Sequence, residues 1–257
     1  MIGLFTRLLK RTPAIEDKQW LAAEQRLPCL RHLTESDRPR LRSLATRFIA
    51  EKQWSAAGEL QLLPSSQIEI ALQACLLILN LGLERYRHWL GIIVYPGDFV
   101  IPRSVIDENG IVHEYDDPVL GEAWEGGPVI LSWFDNPDDA GTANVVLHEF
   151  AHKLDMESGQ VDGIPVLPKN MSRRQWLTAF APAYEDFCAR VDQAELKGED
   201  TELDPYGSEH PAEFFAVMSE AFFETPKLLR SQYPAVYEQL HLFYCQDPAA
   251  AELAVPG

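Results

Sequence analysis

Val145-Val146-Leu147-His148-Glu149-Phe150-Ala151-His152-Lys153-Leu154 decides how this chain is read. On a helix, residues four apart lie on one face, one turn above each other. His148 and His152 therefore aim two imidazoles at one point, the spacing at which a helix offers two ligands to a metal ion. Glu149, beside the first histidine, reaches a water in the coordination position that a catalytic site keeps open. The apolar Val145, Val146, Leu147, Phe150, Ala151 and Leu154 make this a buried helix, and histidines inside it need a reason. A catalytic metal supplies one. A purely structural site is the poorer reading, since it closes all four positions and has no use for Glu149.

The third ligand must come from elsewhere. A longer metzincin-type motif requires glycine at position 155 and histidine at 158, but the chain has Asp155 and Ser158. A carboxylate on a separate downstream helix is then expected, and the candidates include Glu185, Glu209, Glu213 and Glu220. Glu213 is the best of them. It opens the segment His210-Pro211-Ala212-Glu213-Phe214-Phe215-Ala216-Val217-Met218, where Pro211 suits a first helical turn. Phe214, Phe215, Phe222 and Phe223 mark that helix as buried, and a buried carboxylate needs a partner such as a metal. Glu220, two turns further on the same face, is either a support for the ligands or a capping acid. Tyr206 stands seven residues before Glu213, where a phenol can donate to a developing oxyanion.

Around these segments the chain reads as α+β. From Thr34, residues Leu41, Leu44, Ala45, Phe48 and Ile49 recur at helical spacing. A second helix opens at Pro64-Ser65, runs through Ile68, Leu72, Leu76 and Leu79, and stops near Gly82. The first third is read as helical. Trp89 to Tyr95, Phe99 to Ile106 and Val129 to Trp133 are short β-rich runs, with Asp107-Glu108-Asn109-Gly110 as a hairpin turn. Asn136-Pro137-Asp138-Asp139 is a loop before the histidine helix. Further helices are expected at about 142–155, 172–194, 211–224 and 226–245. The expected organisation is a flexible tail over 1–16, one domain over 17–246 and a Pro/Ala-rich tail over 247–257. The Val129–Trp133 strand is read as a sheet edge on which an extended substrate can pair.

Composition narrows the function classes. Against 22 Lys and Arg stand 39 Asp and Glu, a net charge of −17, which disfavours direct binding to nucleic acid. The apolar run Ala71–Leu83, broken by Gln73 and Asn80, is short of the ~20 residues a membrane span needs. Cys29, Cys75, Cys188 and Cys245 form no close pair, so neither a disulfide framework nor a thiolate metal site is indicated. A cytoplasmic location is expected.

In the segments His148–Asp155, Pro211–Val217, Gly127–Trp133 and Leu81–Glu84 the chain resembles the family of Mlc titration factor A, bacterial zinc metallopeptidases. That family is similar in active-site layout to the catalytic domain of anthrax lethal factor. The resemblance implies a zincin-like metallopeptidase fold of the gluzincin type, with one zinc held by His148, His152 and Glu213. It implies catalysis by Glu149 and transition-state support from Tyr206. It further implies aminopeptidase-type activity on peptides and binding to the repressor Mlc, which relieves control of the glucose phosphotransferase system. His113, in Gly110-Ile111-Val112-His113, matches a family histidine that approaches the zinc as an extra resting-state ligand.

Overall fold

The computed structural model describes residues 15–97, 99–106, 112–119, 121–133 and 144–251, the strands at 99–106 and 112–119 as backbone. The expected turn at 107–110, the loop at 136–139 and the outer parts of both expected tails lie outside the described residues. The architecture is mixed α and β, mostly helical, with a small four-stranded sheet.

The amino-terminal part packs α1 (Asp17–Gln25), α2 (Asp37–Glu51) and α3 (Pro64–Leu77) together. α3 is apolar almost all round, and Ile70, Ala71, Leu72, Ala74, Cys75, Leu76 and Leu77 are fully buried. Such a helix is stable only when other elements cover every face. α2 lies on one side of it, and α4 (Val145–Asp155) lies on another.

The sheet has the order β1 (Gln53–Ala56), β2 (Gly91–Pro96), β6 (Val129–Trp133), β5 (Gly121–Ala123). The first three strands are parallel and β5 is antiparallel to β6. Register places Ile92 beside Val129 and Val94 beside Leu131, and all four are fully buried. A separate antiparallel pair joins β3 (Phe99–Ile106) to β4 (Val112–Val119).

The carboxy-terminal part is helical: α5 (Arg173–Lys197), α6 (Pro211–Glu224), α7 (Pro226–Gln232), α8 (Pro234–Tyr244) and the turn α9 (Pro248–Ala251). Trp176 stacks on Phe180 with ring centroids 4.2 Å apart, and Phe214, Phe215 and Phe243 continue this cluster. No helix of the described residues is long and apolar enough to cross a membrane.

Three expectations change. Val129–Trp133 is not a sheet edge, because β5 pairs with its first three residues while β2 lines its other side. The run Val129-Ile130-Leu131-Ser132 is buried without alternation, the pattern of an interior strand, and β5 is too short to show a period of its own. The first third is not wholly helical, since β1 follows α2 directly. The stretch 226–245 is two helices: Pro234 disfavours helical backbone at Tyr233, which takes φ −130°. At the far end Ala249 is fully buried within α9.

Candidate metal centre

The centre is built from the middle of α4 and the first turn of α6. Asn144 caps α4 by accepting the Leu147 amide at 3.1 Å. One side of α4 is anchored by Phe150, whose ring meets those of Phe48, Tyr86 and Trp89 at 5.4–5.7 Å. That contact turns His148 and His152 toward α6. There His210 Nδ1 accepts the Ala212 amide and Pro211 takes the first helical position, so Glu213 falls in the first turn. A carboxylate at a helix N-terminus is favoured by the macrodipole.

Three ligand atoms converge. Glu213 Oε2 lies 3.1 Å from His148 Nε2 and 3.0 Å from His152 Nε2, and the two nitrogens are 3.2 Å apart. As hydrogen bonds this triangle is poorly matched, because one N–H can point at only one partner. As a ligand set it fits well: tetrahedral bonds of about 2.0–2.1 Å put neighbouring ligands about 3.3 Å apart. The electrostatics agrees. Burial alone would lower the His148 imidazole, but Glu213, Glu220 and the charge of Glu149 raise it to about 10. Burial would raise Glu213, but the two histidines hold it at about 2. Negative charge thus draws positive charge onto the nitrogens, a preference that a divalent cation also meets.

Glu149 is buried, its Oε2 has no hydrogen-bond partner, and burial raises its carboxyl. It abuts the edge strand: a β-carbon on Gly121 would lie 2.6 Å from Glu149 Cγ. Only glycine lets β5 run this close to Glu149. Tyr206, in a 3-10 turn before α6, sets its exposed ring 6.0 Å from that of His148. Glu220 accepts the Asn144 amide at 2.7 Å through Oε1 and turns Oε2 toward His148 Nδ1 at 3.7 Å, longer than a hydrogen bond. It supports α4 and adds no ligand. Glu185 and Glu209 are exposed and stand outside the cluster. His113 lies in β4 opposite Val105, and its side chain is outside the described residues.

Two supporting residues escape a sequence reading. Asn144 caps α4 and also donates from Nδ2 to Gln73 Oε1 at 2.7 Å and Glu224 Oε1 at 2.6 Å, tying α4 to α3 and α6. An asparagine before an apolar run is a cap signal. Lys153 turns inward and donates from Nζ to the carbonyls of Trp124 at 2.5 Å and Gly127 at 2.9 Å, fastening the β5–β6 hairpin to the histidine helix. Burial lowers its ammonium to about 8. A lysine inside a buried helix is the trace this leaves in the sequence.

A His-Glu-x-x-His helix facing a downstream glutamate in a mixed α/β fold is the donor set of a metallopeptidase. Residues 5–245 match the family described as glucose-regulated metallo-peptidase M90, and the chain belongs to that family. It is 36% identical over 232 residues to Mlc titration factor A of Klebsiella pneumoniae subsp. pneumoniae, covering 87% of this chain and 84% of the relative. To Mlc titration factor A of Salmonella arizonae it is 37% identical over 231 residues, 87% of this chain and 89% of the relative. The corresponding protein of Salmonella schwarzengrund is 37% identical over 242 residues, 91% and 88%.

Proposed function

We propose that this chain is a zinc-dependent peptidase of the zincin type, in its gluzincin branch, with His148, His152 and Glu213 as ligands. The observation that carries this reading is the triangle of donor atoms with sides of 3.0–3.2 Å. Zinc held by these three residues would supply Lewis-acid chemistry and make a water more acidic. Glu149 is the general base that takes the proton of the attacking water and passes it to the leaving amine. Its burial and raised carboxyl suit a group that must hold a proton for part of the cycle. Tyr206 donates a hydrogen bond from its phenol O–H to the oxyanion of the tetrahedral intermediate. An extended peptide pairs with the outer edge of β5, which runs against Glu149, and aminopeptidase-type cleavage of small peptides is the activity we assign.

The relatives carry the name Mlc titration factor A. On that name we extend the reading to binding of the repressor Mlc, with modulation of the glucose phosphotransferase system as its consequence. A cytoplasmic location belongs to the same reading, and the four free thiols suit a reducing compartment. A second reading, that capture of the repressor is the main role and hydrolysis incidental, rests on the same name.

Glu149→Gln separates the two roles. The amide keeps the shape but takes no proton at neutral pH, so turnover of a chromogenic peptide is expected to fall by ~10²–10⁴. Zinc content and capture of Mlc in a pull-down are expected to persist. Full turnover in the variant would sink the assignment of the base. Loss of capture together with hydrolysis, at normal zinc content, would show that the repressor is held in the catalytic cleft.

A further inference from the structure

We propose that Gly163 is a positioning residue for the metal centre, its backbone acting as the spacer between the end of α4 and the start of α6. The inference rests on the metal reading above. Three elements converge on this residue. Its amide donates to Asp155 Oδ2 at 2.9 Å, and Asp155 is the last residue of α4. Its carbonyl accepts the Trp176 indole N–H at 3.1 Å, from α5. Its Cα faces Pro211, the first residue of α6, so closely that an added β-carbon would lie 2.9 Å from the Pro211 carbonyl carbon and nearer still to its oxygen. The backbone is left-handed here, with φ +76°, a second reason for glycine.

The turn acts where the ligands are. Asp155 follows His152 by three residues, and Pro211 precedes Glu213 by two. Asp155 and Trp176 are fully buried, and Asp155 Oδ1 has no partner, so Asp155 holds the turn through Oδ2. The obstacle to a larger residue is the main chain of Pro211 and Ala212, which no side-chain rotation relieves. Ordinary contact begins at 3.4 Å, so α6 would have to withdraw from the turn by at least about 0.5 Å (3.4 less 2.9). Metal–ligand distances tolerate only about 0.2 Å. α4 and α6 also pack directly against each other, so a push at this end tilts Glu213 relative to the two histidines.

The test measures zinc affinity, by competition with a chromogenic chelator, and the cobalt(II) absorption spectrum. The proteins are the full chain as wild type, Gly163→Ala, Asp155→Ala, Asp155→Asn and Gly198→Ala. Gly198 is also left-handed, at φ +67°, but an added β-carbon meets nothing within 4 Å, so its alanine variant carries the backbone strain without the push. Gly163→Ala and Asp155→Ala are expected to bind zinc about tenfold or more weakly with altered cobalt bands. Asp155→Asn should recover most of the affinity, because its Oδ1 still accepts the Gly163 amide. Gly198→Ala should bind as wild type even where its Tm falls. If Gly163→Ala does not fold, the Asp155 pair decides. Wild-type affinity and spectra in Gly163→Ala and Asp155→Ala would overturn the proposal, as would an Asp155→Asn variant no better than Asp155→Ala. A wild type that binds neither ion removes the metal reading itself.

Discussion

Helices α4 and α6 are both largely buried, and each brings residues to the candidate metal centre, yet they fix them differently. α4 carries His148 and His152 in mid-helix, so their spacing follows from helical periodicity alone. α6 carries Glu213 in its first turn, so its place follows from where the helix begins. That start is set by the His210 cap, by Pro211 and by the packing of Gly163 against it. One half of the site is local in origin and the other tertiary. A change that spares helix formation in α4 leaves the histidine pair intact, whereas Glu213 responds to the fold around it.

Removing one ligand from each helix tests this contrast most severely. His152→Ala is expected to lose stoichiometric zinc and all peptide turnover, while Glu213→Gln, which keeps an oxygen in place, retains zinc weakly, at roughly a tenth of the wild-type affinity or less. Elemental analysis of the purified proteins checks both. Equal zinc in wild type and the two variants would rule out this ligand set.

A smaller effect is expected at Glu220, where α6 reaches back to support α4. Glu220→Gln keeps an acceptor for the Asn144 amide but removes the charge 3.7 Å from His148 Nδ1. Zinc affinity should fall by roughly 10–100-fold, read by chelator competition, with the far-UV spectrum unchanged. An unchanged affinity would make Glu220 part of the α4 cap alone.

The smallest effect falls on stability. Asn144→Ala removes the α4 cap and leaves buried Gln73 short of a donor. A loss of about 1–2 kcal/mol in urea unfolding is expected, with the ligand spacing preserved. A loss of zinc affinity larger than that from Glu220→Gln would show that α4, too, depends on its surroundings.

The same division explains what was legible in the sequence. The histidine helix, the apolar α3 and the aromatic α6 announce themselves through periodicity within one segment. Glu213 was readable because Pro211 and the paired phenylalanines flag the helix that carries it. By contrast β5 has three residues, and its role comes from pairing with β6 and from Gly121 lying against Glu149. Nothing within Gly121-Glu122-Ala123 encodes either relation. β1, a strand of four residues directly after α2, is silent for the same reason. Lys153 and Asn144 stood in plain view, but their partners lie 29 and 76 residues away at Trp124 and Glu220. The break at Pro234 is legible in the sequence, since Pro lacks the amide that a continuous helix needs.

The clamp of Lys153 on the β5–β6 hairpin has an optical consequence. Of the six tryptophans, Trp124 is 50% exposed, while Trp20, Trp89 and Trp176 are buried and Trp54 and Trp133 are partly covered. A neutral collisional quencher such as acrylamide therefore reaches the Trp124 indole first, whereas iodide is held back by a protein of net charge −17. Because Lys153 Nζ binds the Trp124 carbonyl, the fluorescence of that indole reports on the residue directly after His152. The Trp124 indole is thus a built-in lamp wired to the helix that carries the histidine pair.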